Sequence, residues 1–115
     1  MGAPAAGEVV LVPFPFSDLS QSKLRPAVVM ANAGRGDLIL CQITSNPYGD
    51  STAITLLDQD FESGKLQVVS YARPGKLFTA CSTLIVAAVG KLRRPVASRI
   101  THATVKLLTE ALPSK

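Results

Sequence analysis

The chain alternates short apolar, β-branched runs with turn residues, and this pattern limits the folds open to it. Five such runs lie at residues 8–12, 26–31, 38–44, 53–57 and 67–71. Turn signals such as "NAGRGD" and "SNPYGD" separate them, and a longer apolar stretch at 77–89 holds one further strand or two. Because parallel βαβ units need helices between the strands, this spacing favours a small antiparallel barrel or sandwich.

Prolines and glycines mark where individual strands should end. Pro13 and Pro15 follow the first run, and since proline cannot donate to a ladder, that strand must stop there or lie at an edge. The segment Arg73-Pro74-Gly75 is typical of a turn. An acidic connection that contains Gly64 separates the fourth run from the fifth.

The end of the chain has a different periodicity. Its apolar positions recur at helical spacing, at Val96, Ile100, Ala103, Leu107, Leu108 and Ala111. Pro95 suits a first helical turn, and Pro113 suits a stop. The sequence predicts one C-terminal helix whose apolar stripe packs on the β structure.

Length and composition indicate one globular domain. The chain has 115 residues, of which 47% are hydrophobic and 17% charged, so it can bury a core without a metal or disulfide. We assign residues 7–115 to this domain and residues 1–6 to a flexible N-terminal tail. The start lacks the features of a signal peptide, and no apolar run reaches membrane-spanning length. These absences favour a cytoplasmic protein with no membrane contact.

Cys41 and Cys81 both lie within apolar runs, and no CxxC or Cys/His spacing suggests a tetrahedral metal site. We therefore expect two buried, reduced thiols. No metal and no cofactor is expected.

The net charge of +4 and pI of about 9.4 suit a polyanionic partner without requiring one. From residue 91 onward the bases are opposed by Glu110 alone; they are Lys91, Arg93, Arg94, Arg99, Lys106 and Lys115. A solvated basic surface explains this excess equally well.

The available chemistry is narrow. His102 is the sole histidine, so a mechanism that needs two imidazoles from one chain is excluded, and its place opposite the apolar stripe predicts simple exposure. The polar residues left at predicted strand ends are Arg25, Thr44, Ser45, Asn46, Arg73 and Lys76. A guanidinium beside hydroxyls suits phosphate binding and stabilisation of a pentacoordinate phosphorane. Alternatively, Arg25 caps a loop, and Thr44 and Ser45 form a local turn.

The stretch "GEVVLVPFPFSDLSQSKLRPAVVM" resembles the opening of the MazF/PemK family of toxin endoribonucleases, in which a polar loop leads into an Arg-Pro strand entry. The strand "LCQITSN", the element "ARPGKLFT" and a late "GKL" before an amphipathic helix extend the resemblance over residues 7–112. Each motif alone is weak, but an Arg-Pro with a correctly placed Thr-Ser is fairly specific.

The resemblance implies a mainly β fold, a small SH3-like antiparallel barrel with a C-terminal α-helix. It implies a homodimer whose grooves bind single-stranded RNA or the tail of a cognate antitoxin. It also implies metal-independent cleavage, in which the ribose 2′-hydroxyl attacks the adjacent phosphate and leaves a 2′,3′-cyclic phosphate and a 5′-hydroxyl.

Residue by residue, the resemblance places the catalytic arginine at Arg25 and the catalytic threonine at Thr44, with Ser45 beside them. Because an arginine pKa above roughly 12 makes a poor general base, we expect Arg25 to stabilise charge and to assist proton donation. Thr44 would orient the scissile phosphate.

Some members of the family carry an acid at the turn that corresponds to Arg73–Lys76, where this chain has no carboxylate. Asp18, in the polar loop at 17–23, is then a possible base, and the loop itself is expected to act as a mobile lid or as an ordinary connector. Arg73 and Lys76, with Ser45 and Asn46, are expected to contact RNA.

A second class of function also fits the fold that the resemblance implies. A related toxin family traps DNA gyrase by protein binding, without cutting nucleic acid. The pair Arg25 and Thr44 favours the nuclease, whereas the missing acid near Arg73 favours the binding module. The sequence leaves the RNA motif open, because loop shape and base stacking determine it.

Overall fold

The computed structural model describes residues 4–14 and 23–114. Within these residues the chain forms seven strands and, at its end, the helix α1 (Arg94–Glu110). The strands are β1 (Glu8–Phe14), β2 (Lys23–Gly34), β3 (Asp37–Thr44), β4 (Ile54–Leu56), β5 (Phe61–Gly64), β6 (Ser70–Cys81) and β7 (Ala87–Leu92). Short 3₁₀ turns at Asp58–Asp60 and Ser82–Leu84 precede β5 and β7. The prediction of a mainly β fold with a C-terminal helix is confirmed.

The described strands form one curled antiparallel sheet in the order β4-β6-β3-β2-β1-β7-β5. β4 and β5 are its edges, and β3 lies between the two long strands β6 and β2. The sheet is therefore a half-barrel rather than a closed cylinder.

The side chains of β3 alternate between two apolar clusters, one on each face of the sheet. Cys41 and Ile43 belong to the cluster that includes Val96 and Ile100 of α1, and we call this side the helix face. Leu38 and Leu40 belong to a cluster with side chains of β1 and β2 on the other side, which we call the far face. Both clusters are almost completely buried, so the two faces hold the sheet in its curled shape.

The helix α1 begins at Arg94, with Pro95 in its first turn as predicted. Val96, Ile100 and Thr104 are its buried residues, and the Thr104 hydroxyl donates a hydrogen bond to the Pro74 carbonyl at 3.0 Å. The predicted stripe is wrong at its C-terminal end, where Leu108 is 63% exposed and Ala111 is also exposed. The buried line of the helix passes through Thr104 instead, because this side chain has a carbonyl partner on β6.

The predicted turn at Arg73-Pro74-Gly75 is wrong, because these residues lie inside β6. The β3–β6 register jumps from Cys41↔Leu77 to Ile43↔Ala72. Residues 73–76 therefore bulge past a single β3 residue, Gln42. A Pro-Gly pair can produce such a bulge as readily as a chain reversal, since both release the backbone from regular ladder bonding.

Two other strand predictions need adjustment. β1 continues through Pro13 to Phe14, but its pairing with β7 ends at Leu11, so Pro13 does lie at an edge. The predicted strand at 67–71 begins only at Ser70, and residues 67–69 are exposed.

The cysteine prediction holds for one residue only. Cys41 is buried and free, but Cys81 is exposed at the end of β6, where the sheet no longer covers it. In the described part of the chain, no helix has both the length and the hydropathy to cross a bilayer. The assignment of residues 1–6 to a flexible tail remains a prediction.

Candidate functional site

The register of the sheet places Arg25 and Thr44 on one face. The β2–β3 ladder ends at the pair Ala27↔Gln42, on the far face. Arg25 precedes Ala27 by two residues and pairs with Val12, and Thr44 follows Gln42 by two residues. Since strand side chains alternate, the Arg25 guanidinium and the Thr44 hydroxyl both project from the far face, on neighbouring strands just beyond the last ladder pair.

Arg25 is exposed, and it forms no ion pair or hydrogen bond with another described residue. Its backbone is fixed by the pairing with β1, whereas its side chain is left for a ligand. A planar guanidinium in this position can bind two oxygens of one phosphate.

The Thr44 hydroxyl takes part in a local turn. It accepts a hydrogen bond from the Asn46 N–H at 3.1 Å and donates one to the Asn46 carbonyl at 3.0 Å. Thr44 thus forms the local turn that the sequence analysis gave as its alternative role. One acceptor lone pair remains, and Thr44 can donate to a phosphate only after it releases the Asn46 carbonyl.

Ser45 and Asn46 are exposed at the start of the turn that follows β3. The Asn46 side-chain oxygen accepts a hydrogen bond from the Tyr48 N–H at 2.9 Å. Tyr48 has a left-handed backbone conformation, with φ of 53°, and its side chain is 71% exposed. The turn therefore presents an aromatic ring to solvent beside the predicted RNA contacts.

Arg73 is joined to this turn by Asp50. Its Nε lies 3.0 Å from the Asp50 Oδ2, and its guanidinium carbon lies 6.0 Å from the centre of the Tyr48 ring. The Asp50 Oδ1 accepts hydrogen bonds from the Thr52 hydroxyl and N–H, and these, with the bond from Arg73, lower the pKa of the carboxyl. The Arg73–Lys76 segment has no acid of its own, but Asp50 places a carboxylate beside Arg73. Both oxygens of this carboxylate already accept hydrogen bonds, from Thr52 and from Arg73.

A small cavity opens on the far face between β1, β3 and the β6 bulge. Its volume is about 190 Å³, and its walls are Phe14, Gln42, Lys76, Leu77 and Phe78. Lys76 is exposed, and the buried Gln42 Oε1 has no hydrogen-bond partner in the described part of the chain. The structure thus places Lys76 beside a residue, Gln42, that the sequence analysis did not single out.

The basic C-terminal region lies on the opposite side of the sheet. Lys91, Arg94 and His102 line a cavity of about 510 Å³ between α1 and the helix face. Lys91 is paired with Glu62 at 3.7 Å, and His102 is exposed as expected. These charges therefore do not share the surface of Arg25 and Thr44.

Of the predicted loop at 17–23, only Lys23 is described, and it is the first residue of β2. Asp18 and residues 17–22 lie outside the described residues, so the assignment as base and lid stays a prediction. Among residues 4–14 and 23–114, no group of three His, Cys, Asp or Glu side chains is arranged to hold a metal ion. The roles of Arg25, Thr44, Ser45, Asn46, Arg73 and Lys76 also stay predictions, although all six lie on or beside the far face.

The family is established by sequence. Residues 5–108 match the model of the PemK-like, MazF-like toxins of type II toxin-antitoxin systems, so the chain belongs to this family. A comparison with curated protein sequences gives no match.

Solved structures of this class share the fold. An endoribonuclease in complex with its cognate antitoxin, from a mycobacterial species, superposes with a TM-score of 0.72 at 16% identity, covering 96% of this chain and all of the other. MazF from Deinococcus radiodurans gives 0.71 at 21% identity, with 95% and 99% covered. A MazE–MazF complex from the same organism gives 0.75 at 19% identity, with 94% and 98% covered. At these identities the likeness concerns the fold.

Proposed function

We propose that this chain is the toxin of a type II toxin-antitoxin system and an endoribonuclease that cuts single-stranded RNA at short motifs. Membership of the family supports this proposal, as do structural neighbours described as an endoribonuclease and as MazF bound to its antitoxin MazE. The observation that carries it is the shared face of Arg25 and Thr44, at the ends of two adjoining strands and open to solvent.

The proposed reaction is an intramolecular displacement. The 2′-hydroxyl oxygen forms a new bond to the neighbouring phosphorus, the bond from phosphorus to the 5′-oxygen breaks, and a 2′,3′-cyclic phosphate and a 5′-hydroxyl result. One proton leaves the 2′-hydroxyl and one is gained by the 5′-oxygen. Arg25 binds the non-bridging oxygens and stabilises their added negative charge, which is the term that usually dominates such a step.

Thr44 orients the same phosphate once its hydroxyl turns from the Asn46 carbonyl. Lys76 and the turn residues Ser45 and Asn46 hold the flanking backbone, while Arg73, restrained by Asp50, supplies a fixed positive charge at the edge of the turn. Reaction through these groups requires no metal ion.

The proposal includes a homodimer in the cytoplasm and a cognate antitoxin as partner. An antitoxin tail that competes with RNA should carry carboxylates, because the face it must cover presents Arg25, Arg73 and Lys76. Such a tail could add a strand or lay an amphipathic helix on this surface.

The decisive experiment uses purified protein, an unstructured RNA and excess chelator, with analysis of the fragment ends. Cyclic phosphate and 5′-hydroxyl ends are expected. Arg25→Ala should abolish cleavage while the protein stays folded, and Arg99→Ala, which removes an exposed arginine from α1, should leave cleavage unchanged. Intact RNA with the wild-type protein, or full turnover by folded Arg25→Ala, contradicts the assignment. Intact RNA together with inhibition of DNA gyrase would support the binding-module alternative.

A further inference from the structure

The Gln42 side chain occupies an unusual position next to the proposed catalytic pair. It pairs across the sheet with Ala27 and lies two residues from Thr44 on the same face, which is about 7 Å along the strand. Its Oε1 atom is buried and has no hydrogen-bond partner among residues 4–14 and 23–114. Because a buried, unpaired acceptor is destabilising, such an atom in a folded protein calls for an explanation.

The surroundings of Gln42 leave space beside its side-chain amide. β6 places no paired residue opposite Gln42, because residues 73–76 bulge out of the ladder at this one position, so no paired side chain of β6 stands directly beside the amide. The bulge leaves the cavity of about 190 Å³, with the amide of Gln42 on one wall and Lys76 at the exposed rim. A bulge of this kind redirects side chains and often lies beside a functional site.

The other described residues that line the cavity are apolar. Phe14 and Phe78 meet edge to face, with their ring centres 4.7 Å apart and their planes at 76°, and Leu77 lies beside them. Ligand pockets for whole small molecules usually measure about 300–1,000 Å³, so this cavity suits a smaller group. A flat, partly apolar group with a polar edge, followed by an anion within reach of Lys76, fits these walls.

We infer that this cavity is a base-binding subsite, in which the Gln42 amide hydrogen-bonds the edge of one unpaired RNA base adjacent to the scissile phosphate. The inference rests on the proposed function, which brings the RNA backbone to Arg25 and Thr44. The base packs against the aromatic and aliphatic wall, and Lys76 contacts its flanking phosphate.

The amide determines which base edge can bind. Its buried oxygen, Oε1, is an acceptor, so it needs a donor that projects from the base edge. The exocyclic amino groups of adenine, cytosine and guanine provide one, and a ring nitrogen beside the amino group of adenine or cytosine can accept from the Gln42 Nε2 in a bidentate contact. Uracil can satisfy the amide as well, since its N3–H can donate to Oε1 while a flanking carbonyl oxygen accepts from Nε2. The subsite should therefore require a base edge that presents a donor beside an acceptor, and the shape of the cavity then favours one such base over the others.

The test is a cleavage assay on a library of unstructured RNAs, with every base represented at each position around the cut. Wild-type protein should discriminate among the bases by about 10-fold or more at one position beside the cut. Gln42→Met, which keeps the side-chain length and removes the amide, should lose this preference and leave the other positions unchanged. Gln67→Met, a change at an exposed glutamine, should behave as wild type.

A substitution in the RNA tests the same contact without altering the protein. In an RNA that carries adenine at this position, its replacement by purine riboside, which lacks the amino group, should slow wild-type cleavage about tenfold and should have little effect on Gln42→Met. If cleavage by the wild-type protein tolerates the loss of the amino group at every position, the subsite does not exist. If Gln42→Met keeps the wild-type preference, Gln42 does not read the base.

A binding measurement distinguishes failure of this inference from failure of the proposed function. An oligonucleotide with a 2′-deoxy sugar at the cut position cannot react, so its affinity reports binding without the chemical step, and the difference in affinity between bases reports the base contact. Base-selective binding that depends on Gln42, with no cleavage of any RNA, supports the subsite and overturns the nuclease assignment. Cleavage with a base preference that does not depend on Gln42 supports the nuclease assignment and overturns the subsite. Absence of both cleavage and binding overturns both proposals.

Discussion

The Arg73 Nε lies 3.0 Å from the Asp50 Oδ2, so a single ion pair joins the turn after β3 to the bulge of β6. Both side chains are largely shielded, at 20% and 16% exposed, so the pair is stronger than one in open solvent. Thr52 holds the other carboxylate oxygen. The two segments that carry the predicted RNA contacts are thereby fixed to one another.

Replacing Asp50 by asparagine should loosen this connection. The free energy of unfolding should fall by about 1–2 kcal/mol, because charge-assisted hydrogen bonds to Arg73 and Thr52 are weakened. RNA cleavage should also fall, since Arg73 loses its restraint. Chemical denaturation and initial-rate assays measure the two effects. Asp58→Asn, at an exposed carboxylate in the 3₁₀ turn after β4, is the control and should change neither; equal effects from both variants would contradict this role of Asp50.

The same carboxylate should give a pH dependence of stability. The Thr52 hydroxyl first, and then Arg73, lower the pKa of Asp50 below its ordinary value, so the folded state holds the charged form more firmly than the unfolded state does. The resulting stabilisation is present above the unfolded pKa of about 3.9 and is lost as pH falls through the lower folded pKa. The stability difference between wild type and Asp50→Asn should be constant near neutral pH and should shrink below about pH 4. A difference that is unchanged at pH 3 argues against the shift.

Thr44 should show two separable effects. Thr44→Val removes the bonds to Asn46, and we expect a loss of about 1 kcal/mol in stability together with a fall in turnover on the order of 100-fold. Thr44→Ser keeps the hydroxyl and should stay within about tenfold of wild type. Thr83→Val, which removes a hydroxyl bonded to Cys81, controls for loss of a surface hydroxyl. If folded Thr44→Val cuts RNA at the wild-type rate, the hydroxyl serves the turn alone.

The sequence predicts the elements of this fold better than it predicts their pairing. Alternation and turn residues locate the strands, since these are local properties of the chain. The bulge at residues 73–76 depends on the register between β3 and β6, which no local pattern encodes, and the Pro-Gly pair there suggests a turn instead. The exposure of Cys81 has the same origin, because burial depends on what the rest of the sheet covers.

The site residues also divide into those that a local sequence pattern indicates and those that depend on strand register. Arg25 and Thr44 stand out because they occur in recognisable motifs at strand ends. Asp50 and Gln42 do not, since the importance of Asp50 arises from its contact with Arg73, and that of Gln42 from the bulge in β6 that leaves it without a paired residue there. Tyr71, which pairs with both Thr44 and Thr55, is likewise brought beside the site by register alone. The one available sequence signal was that Gln42 is a polar residue within an otherwise apolar strand.

The two thiols should differ sharply in reactivity. Burial raises the pKa of Cys41 to about 12, and its thiol donates to the Arg73 carbonyl at 3.1 Å. Cys81 is exposed, and hydrogen bonds from Thr83 lower the pKa of its thiol. A thiol reagent at pH 8 should therefore modify one cysteine in the folded protein and the second only after unfolding. Cys81→Ser should abolish the fast phase; two fast thiols, or a fast phase that survives in Cys81→Ser, would contradict the exposed position.

The edge pair of β5 and β7 should be intolerant of any side chain at Gly64. Gly64 has φ of +71° and pairs with Gly90, and an added Cβ would lie 2.2 Å from the Val89 carbonyl oxygen and 2.5 Å from the Gly90 Cα. These are backbone atoms, so relief requires the strands to separate. Gly64→Ala should lower the free energy of unfolding by about 3 kcal/mol or more.

Gly34→Ala isolates the contribution of backbone conformation to that loss. Gly34 also has a positive φ, of +91°, but an added Cβ there meets no atom within 4 Å, so the expected cost is about 1–2 kcal/mol. Thermal unfolding of both variants gives the difference, which measures the close approach of β5 to β7. Because Gly64 is remote in the sheet order from β3 and β6, folded Gly64→Ala should still cut RNA at low temperature. Equal losses of stability in the two variants would show that the strands part easily, and that this edge of the half-barrel is not tightly packed.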